Sequence, residues 1–243
     1  MPRYANETKF LLRALLAATL TYLIFASSSG AESPYSEGKR SVDGIGKYYF
    51  GREISTVMGH RGARWLERST RQQEERTDLL IDALPLNPDM VVADIGAGSG
   101  YFSIPIAKRL PAGKVLAIDI QAEMLTIIKH KCAALGINNI ELVRSSAADP
   151  KLPQDRVDLA LLVDAYHEFE FPKEMTLGIF RGLKSGGRVV LVEYRAEDPS
   201  VPILRLHKMS EAQAKKEWLA AGFEFEKNLS VLPQQHIFIF RKP

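Results

Sequence analysis

The chain has 243 residues, of which 46% are hydrophobic and 25% are charged, and its formal net charge at pH 7 is +3. This is the composition of an ordinary globular protein, long enough for one α/β domain. The first 31 residues carry +2 of the charge, so the rest has no clustered basic face and we expect no nucleic-acid partner. The single cysteine, Cys132, excludes an intrachain disulfide and a cysteine-built metal site.

Residues 1–31 have the pattern of a secretory signal peptide. A basic segment is followed by an uncharged apolar stretch, Ala14–Ala26, and then by small polar residues with a cleavage point near Glu32. The apolar stretch is short for a membrane span, which needs about twenty residues. The sequence therefore predicts export to the periplasm, with no stable membrane insertion after cleavage. The alternatives are an uncleaved N-terminal anchor, or a misassigned start codon upstream of a cytoplasmic enzyme.

Two segments with different compositions follow. Residues 32–46 are rich in serine, glycine and charge, which predicts a flexible linker. Residues 47–76 contain many aromatic and aliphatic side chains before a charged run, so this segment is expected to pack on the core domain. We predict that it forms an N-terminal helical cover. A docking helix with no ligand role remains the alternative.

Apolar runs and turn residues predict an alternating series of strands and helices from residue 77 onwards. The predicted elements are a helix at Thr77–Leu84, a strand at Met90–Ala93, a helix at Tyr101–Leu110, a strand at Lys114–Ile118, a helix at Gln121–Leu135, strands at Ile140–Arg144 and Val157–Val163, a helix at Pro172–Leu183, a strand at Arg188–Val192, a helix at Glu211–Ala221 and a hairpin formed by Phe223–Val231 and His236–Arg241.

A glycine-rich turn lies at the centre of this series, where residues 91–103 have the sequence VVADIGAGSGYFS. A strand, a turn with three glycines and the opening of a helix form half of a nucleotide-binding βαβ unit. Glycine permits positive φ, and without a Cβ it lets a ligand lie against backbone amides at the start of a helix. A merely structural tight turn is the alternative.

The surroundings of this turn favour a cationic adenosine ligand. The next apolar strand ends in Asp119, about twenty residues later, where an acid can accept hydrogen bonds from both ribose hydroxyls. Tyr101 stands where a dinucleotide site has its third glycine, and Asp94 would repel a pyrophosphate. S-adenosylmethionine, with its sulfonium and α-amino groups, suits such a pocket better.

With Asp119 and Leu183–Glu193, residues 91–103 resemble the class I S-adenosylmethionine-dependent methyltransferases, in the branch that includes quinone-biosynthesis and small-molecule methyltransferases. The resemblance covers residues 77–243, the predicted methyltransferase domain. It implies an α/β fold with a Rossmann-like seven-stranded sheet, mostly parallel, ending in a C-terminal antiparallel hairpin and covered by helices on both faces. It also implies S-adenosyl-L-methionine as cofactor and a small-molecule methyl acceptor, without naming the acceptor or the oligomeric state.

The cofactor-binding candidates gather around the carboxyl ends of the predicted strands. They are Asp94, Gly96, Ala97, Gly98, Gly100, Tyr101, Asp119, Ile120, Met124, Ala148, Asp149 and Asp164. Met124 would cover one face of the adenine or pack in the core. Ala148 takes the place where similar methyltransferases have an acid for the adenine amino group, so Asp149 or a backbone group would have to serve. Asp164 is expected to face the methionine end.

The catalytic candidates follow the fourth strand of the predicted domain. His167 is the first choice for a general base, because imidazole titrates near neutrality. Glu168 would orient His167 or bind a cationic acceptor, and Tyr166 would cover the sulfonium through a cation–π contact. Local hydrogen bonding at the start of the next helix is the alternative. His207 is a further candidate for the same pocket, Glu193 is expected to be structural, and no metal site is predicted.

Two other functions fit parts of the pattern. An exported protein could keep the methyltransferase fold and bind a ligand without turnover, since export would separate it from the cytosol where S-adenosylmethionine is made. An NAD-dependent oxidoreductase would use the same βαβ unit, although Asp94 and Tyr101 count against it.

Overall fold

Residues 33–243 are described by a computed structural model of the chain. The predicted signal peptide lies outside the described residues. Within residues 33–243, no helix combines the length and the apolar composition that crossing a bilayer requires.

A three-stranded antiparallel sheet occupies the segment predicted to be a linker and the start of a helical cover. Its strands are β1 (Tyr35–Glu37), β2 (Gly44–Tyr49) and β3 (Arg52–Ser55). The prediction of a flexible linker over residues 32–46 is therefore wrong for the strand residues. Phe50 and Gly51 join β2 to β3 with φ of 50° and 88°, as a tight two-residue hairpin turn requires.

One carboxylate ties the early part of this sheet together. Glu53 accepts hydrogen bonds from the backbone N–H groups of Ser41 and Gly46 and from the Ser41 hydroxyl. The two backbone groups are therefore paired within the protein, whereas in a solvated linker they would bind water. Tyr49 and Ile54 are fully buried, so the sheet also has apolar contacts.

The second half of the predicted cover is helical, but in short pieces. A 3-10 turn at His60–Gly62 leads into α1 (Ala63–Leu66) and α2 (Arg71–Glu75), and α3 (Thr77–Ala83) begins the main domain.

Alternation of short apolar strands with helices produces one large sheet. Its strands are β4 (Val91–Ile95), β5 (Lys114–Asp119), β6 (Ile140–Arg144), β7 (Val157–Val163), β8 (Leu183–Arg195), the two-residue β9 (Lys208–Met209), β10 (Glu224–Leu229) and β11 (Gln235–Arg241). The order is β10-β11-β8-β7-β4-β5-β6, and β9 pairs with β8. Strands β4 to β8 pair in parallel, whereas β11 is antiparallel to both β8 and β10. The mostly parallel sheet of seven strands and its terminal antiparallel hairpin are confirmed, and the two-residue β9 adds an eighth strand.

Four further helices complete the layers: α4 (Ser103–Lys108), α5 (Ala122–Leu135), α6 (Pro172–Gly182) and α7 (Glu211–Ala220). Side chains alternate along each strand, so the two faces bury different partners. One face packs with residues of α6 and α7, including Ile179 and Trp218. The other packs with residues of α3, α4 and α5, including Leu80, Ile106 and Ile128. Helices therefore cover both faces, as predicted.

This topology brings the carboxyl ends of neighbouring parallel strands together. Strand β4 lies between β5 and β7, and the chain moves from β4 outwards through β5 and β6 before returning to β7. The carboxyl ends of β4 and β7 thus border a crevice at the point where the strand order reverses, which is where open α/β sheets bind ligands.

Candidate functional site

The glycine turn after β4 is closely surrounded, so side chains are excluded from it. Gly96 and Gly98 have φ of 75° and 53°. A Cβ on Gly96 would lie 2.6 Å from the Cβ of Ala165, and one on Gly98 would lie 2.8 Å from Leu66 Cδ1. The Gly98 N–H donates to Asp119 Oδ2 over 2.9 Å, which fastens the turn to the end of β5. A ligand in the cavity can therefore approach the backbone of Gly96 and Gly98 beside the Asp119 carboxylate.

A cavity of about 600 Å³ opens beside this turn. This volume lies within the range of small-molecule and cofactor sites, about 300–1,000 Å³. Nine of the residues predicted from the sequence line it: Gly96, Gly98, Asp119, Ile120, Met124, Asp164, His167, Glu168 and His207. The cover contributes further lining from Val57 to Arg71, and the loop after β8 contributes Pro202, Ile203 and Leu204.

Four of the predicted cofactor residues around the turn do not line the cavity. They are Asp94, Ala97, Gly100 and Tyr101. Asp94 instead accepts a 2.5 Å hydrogen bond from the Ser103 hydroxyl at the start of α4. Gly100 lies against Ile128, and the Tyr101 ring lies under the Arg71 guanidinium at 4.4 Å. These residues pack around the turn without lining the cavity.

The residues predicted to bind the adenine are also not the ones that line the cavity after β6. Ala148 and Asp149 lie outside the cavity, and Asp149 pairs with Lys151 at 2.7 Å. Ser145, Ser146 and Ala147 line the cavity in their place. Strand β6 ends at Arg144, so the first residues after the strand end occupy the ligand edge, and the resemblance placed the site a few residues too late.

Tyr166 has a different role from the one predicted. Its side chain is fully buried, and its ring packs 5.2 Å from Trp218 and 5.6 Å from Phe169. It does not line the cavity, so it cannot cover a sulfonium there. In the 3-10 turn Tyr166–Glu168, the side chain of Tyr166 points to the core while the next two face the cavity.

The polar wall of the cavity is formed by two histidines and one glutamate, and a second glutamate, Glu193, supports it from behind. His167, which is 2% exposed, has Nδ1 at 2.5 Å from Glu193 Oε2 and Nε2 at 3.1 Å from His207 Nδ1. Glu168 Oε1 lies 3.9 Å from the same nitrogen of His207. His207 lies in the loop after β8, 40 residues further along the chain than His167, and the fold brings it into the same site.

Burial favours the neutral forms of these groups. It lowers the pKa values of His167 and His207 to about 4. Burial also raises the pKa of Glu168 to about 7 and that of Glu193 to about 8. Both imidazoles are consequently uncharged at neutral pH and have a nitrogen lone pair available for a proton or a ligand.

The N-terminal sheet holds this wall in place. The Arg52 guanidinium and the Ser55 hydroxyl donate to the backbone carbonyl of His167 over 3.2 and 3.3 Å. The Met58 N–H donates to Glu168 Oε1 over 3.2 Å. Arg52 is itself paired with the buried Glu217 at 2.8 Å. The predicted cover thus fixes the catalytic candidates as well as lining the cavity.

Asp164 supplies a carboxylate oxygen suited to a cationic ligand. Its backbone is left-handed, with φ of 49°, and its Oδ2 accepts from Gln235 over 2.9 Å. Within the described residues, Oδ1 is buried without a hydrogen-bond partner. Burial, with the nearby Glu75 and Glu193, raises the pKa of Asp164 well above its usual range. A buried acceptor left unpaired costs free energy that a bound ammonium group would recover.

The model of a protein family described as "Methyltransferase domain" matches residues 86–235. The chain belongs to this family. The match includes the glycine turn, the strand ends and the polar segment after β7. The resemblance inferred from the sequence is confirmed, and the family implies S-adenosylmethionine as cofactor. The unpartnered Asp164 oxygen, the backbone of Gly96 and Gly98 beside the cavity and the carboxylate of Asp119 fit that molecule.

Curated relatives of this chain are named for different kinds of methyl acceptor. It is 34% identical over 110 residues to a ribosomal RNA small subunit methyltransferase G of Lactobacillus helveticus, covering 44% of this chain and 45% of the relative. It is 28% identical over 147 residues to a chloroplastic 2-methyl-6-phytyl-1,4-hydroquinone methyltransferase of Arabidopsis thaliana, covering 60% and 41%. The chain thus spans less than half the length of these relatives.

Solved structures share the fold at low sequence identity. A SAM-dependent methyltransferase from Aquifex aeolicus superposes with a TM-score of 0.72 at 21% identity, over 77% of this chain and 100% of that one. The [4+2]-cyclase SpnF superposes with a TM-score of 0.61 at 18% identity, over 79% and 87%. Since the second is described as a cyclase, the fold alone does not decide the reaction.

Proposed function

We propose that the chain transfers a methyl group from S-adenosylmethionine to a small-molecule acceptor by in-line displacement. One observation carries the proposal. A single cavity of about 600 Å³ has the residues predicted to bind the cofactor on one wall, and His167, Glu168 and His207 on another. A cofactor and an acceptor can therefore be held within one enclosure.

The cofactor wall is formed by the ends of β4, β5 and β7. Asp119 keeps two acceptor oxygens at the cavity, each of which already receives a backbone N–H, from Gly98 and Gln121. Such an acid holds ribose hydroxyls, and the unpartnered oxygen of Asp164 would accept from the α-amino group. Met124 and Ile120 provide apolar contact. When bound, S-adenosylmethionine supplies a methyl group already activated by its sulfonium.

The acceptor wall has to orient a nucleophile and take its proton. Orientation alone can remove several kcal/mol of the barrier, of order 7 or more in well-aligned systems. His167 is uncharged at neutral pH, since burial lowers its pKa to about 4, and its ring therefore has a lone pair that can take a proton. Burial also makes the ring a weak base, so its action depends on the position in which Glu193 holds it through Nδ1. Nε2, beside His207, is the nitrogen that faces the acceptor side.

The character of the lining favours a small acceptor with an apolar body and one ionisable oxygen. Val57, Met58, Ile203 and Leu204 are apolar, whereas the polar groups are concentrated at His167 and its neighbours. This arrangement is typical of small-molecule sites, where a few polar groups fix the orientation of an apolar ligand. The relative named for a phytyl-hydroquinone supports the same class of acceptor.

Transfer of radiolabelled methyl groups tests this proposal. The purified chain is incubated with methyl-labelled S-adenosylmethionine and, separately, with phenols, hydroquinones and RNA. We expect label in a phenol or hydroquinone product. Label in RNA would replace the small-molecule acceptor by a nucleic acid. Tight cofactor binding without transfer to any acceptor would favour a non-catalytic ligand-binding protein, and binding of NAD in preference would favour an oxidoreductase.

A further inference from the structure

We propose that His167, His207 and Glu168 form a binding site for one divalent first-row transition-metal ion, such as Zn²⁺ or Fe²⁺, at the acceptor side of the cavity. Each residue offers one ligand atom, and the three atoms lie within 4.8 Å of one another. All three residues line the cavity. The sequence predicted no metal site, because the third donor lies about 40 residues beyond the other two and its position depends on the fold.

The spacing of the donor atoms suits a common ion. His167 Nε2 and His207 Nδ1 are 3.1 Å apart, a separation that two metal–nitrogen bonds of about 2.1 Å produce at an angle near 95°. Glu168 Oε1 lies 3.9 Å from His207 Nδ1, just inside the roughly 4.2 Å that two such bonds can span. A small movement of the Glu168 side chain would bring this angle towards a regular value.

A second carboxylate supports the first histidine in the way that metal sites require. Glu193 Oε2 lies 2.5 Å from His167 Nδ1, so the other ring nitrogen, Nε2, is left to point at the cluster. Metal-binding histidines almost always have such a partner on the second nitrogen, which fixes the tautomer and the ring orientation. Glu193 is fully buried and also accepts from the His167 backbone N–H, so the support is rigid.

The donor set indicates which ions would bind. Two imidazoles and one carboxylate suit zinc and non-haem iron, whereas magnesium and calcium prefer oxygen ligands alone. Three protein ligands leave further coordination positions open. Since the three side chains line the cavity, those positions face the space proposed for the acceptor.

A hydrogen bond between the two imidazoles is the alternative explanation of the 3.1 Å contact. In that case one proton is shared by His167 and His207, and the pair serves as a base without a metal. An ion would take the place of that proton. Measured metal affinity therefore separates the two explanations.

The role of the ion in catalysis rests on the proposed function. With the ion bound, Nε2 of His167 would be a ligand and no longer the base. An acceptor oxygen would complete the coordination, and the cation would lower the pKa of that oxygen so that its proton is lost to solvent. Binding of the metal itself needs neither the cofactor nor an acceptor. The site can thus be tested when methyl transfer is absent.

The test is a titration of the tag-free, full-length chain with Zn²⁺ after removal of metal by chelation. Calorimetry gives the stoichiometry and affinity, and Co²⁺ as a second probe gives a visible absorption spectrum. We expect one ion per chain and a loss of at least 100-fold in affinity in His207→Ala. The matched control is His130→Ala, since His130 is an exposed histidine on α5, and its affinity should equal that of the unchanged chain.

Folding and cofactor binding are measured on the same samples. The Glu168→Gln variant provides a second test, because removing its charge should also weaken Zn²⁺ binding at least 10-fold, and it decides the matter where His207→Ala does not fold. Absence of stoichiometric binding of either probe to the unchanged chain, or undiminished binding in a folded His207→Ala or Glu168→Gln protein, would overturn the proposal. Calorimetry with S-adenosylmethionine alone shows separately whether the proposed function fails.

Discussion

His167 Nδ1 lies 2.5 Å from Glu193 Oε2, and both side chains are shielded from solvent. This contact determines which nitrogen of His167 faces the cavity. Glu193 stands near the end of β8, where the sequence suggested a structural residue, and the structure places it as a positioning residue. Removing its carboxyl group should therefore affect the chemical step more than the binding of the cofactor.

The Glu193→Ala variant should lower kcat about 10–100-fold, because the His167 ring loses the partner that orients it. The KM for S-adenosylmethionine should stay within twofold of the original value, since Glu193 does not line the cavity. Steady-state kinetics with any acceptor found for the enzyme checks the split. A rise in KM with unchanged kcat would show that Glu193 does not act through His167.

Asp119→Ala should weaken the binding of S-adenosylmethionine at least 10-fold, because hydrogen bonds from ligand hydroxyls to a charged acceptor are lost. Asp149→Ala is the matched control. Asp149 was also a candidate from the sequence but lies outside the cavity, so its removal should leave the affinity unchanged. Isothermal calorimetry measures both. Equal effects of the two substitutions would remove Asp119 from the site.

Arg52→Ala should destabilise the fold by about 3–5 kcal/mol, because it leaves the buried carboxylate of Glu217 without its partner. Arg188→Ala breaks a more exposed pair with Glu226 and should cost less than about 1 kcal/mol. Urea unfolding of both variants compares the two losses. A loss below 1 kcal/mol for Arg52→Ala would show that the N-terminal sheet does not hold the site.

The stability of the chain should depend on pH through Asp94. Burial raises the pKa of this carboxyl from 3.8 to about 6. Between these values the folded state binds more protons than the unfolded state, so the free energy of unfolding falls as pH rises. Relative to Asp94→Asn, the unchanged chain should lose about 2 kcal/mol from pH 4 to pH 6, a few tenths of a kcal/mol more between pH 6 and about pH 8, and nothing beyond that. Parallel unfolding curves at each pH check this, and a constant difference would contradict it.

We also propose export, which rests on the pattern of residues 1–31 alone. Protein recovered from outside the cytoplasm of an expressing bacterium should have an intact mass that begins near Glu32. A full-length mass would argue for an uncleaved anchor or for retention in the cytoplasm.

The parallel sheet could be predicted because its strands are short apolar runs with turn residues between them, and β4 and β7 correspond closely to such runs. The N-terminal sheet could not. Strands β1 to β3 are short and contain glycine, serine and charge, and the contacts that stabilise them, such as those of Glu53, are specific to the folded chain.

In the site, the sequence located the correct strand ends without showing which way each side chain points. His167 and Glu168 face the cavity as predicted, whereas Tyr166, directly before them, packs against Trp218. The partners of His167 were harder to recognise, because Glu193 and His207 meet it only through the pairing of β7 with β8 and the path of the following loop.

A crystal structure of the chain with S-adenosylhomocysteine tests the central claim most directly. The account predicts the ribose hydroxyls on the Asp119 carboxylate, the α-amino group on Asp164 and the sulfur turned towards His167. Density for the nucleoside elsewhere, or a cavity filled by side chains in its presence, would contradict it.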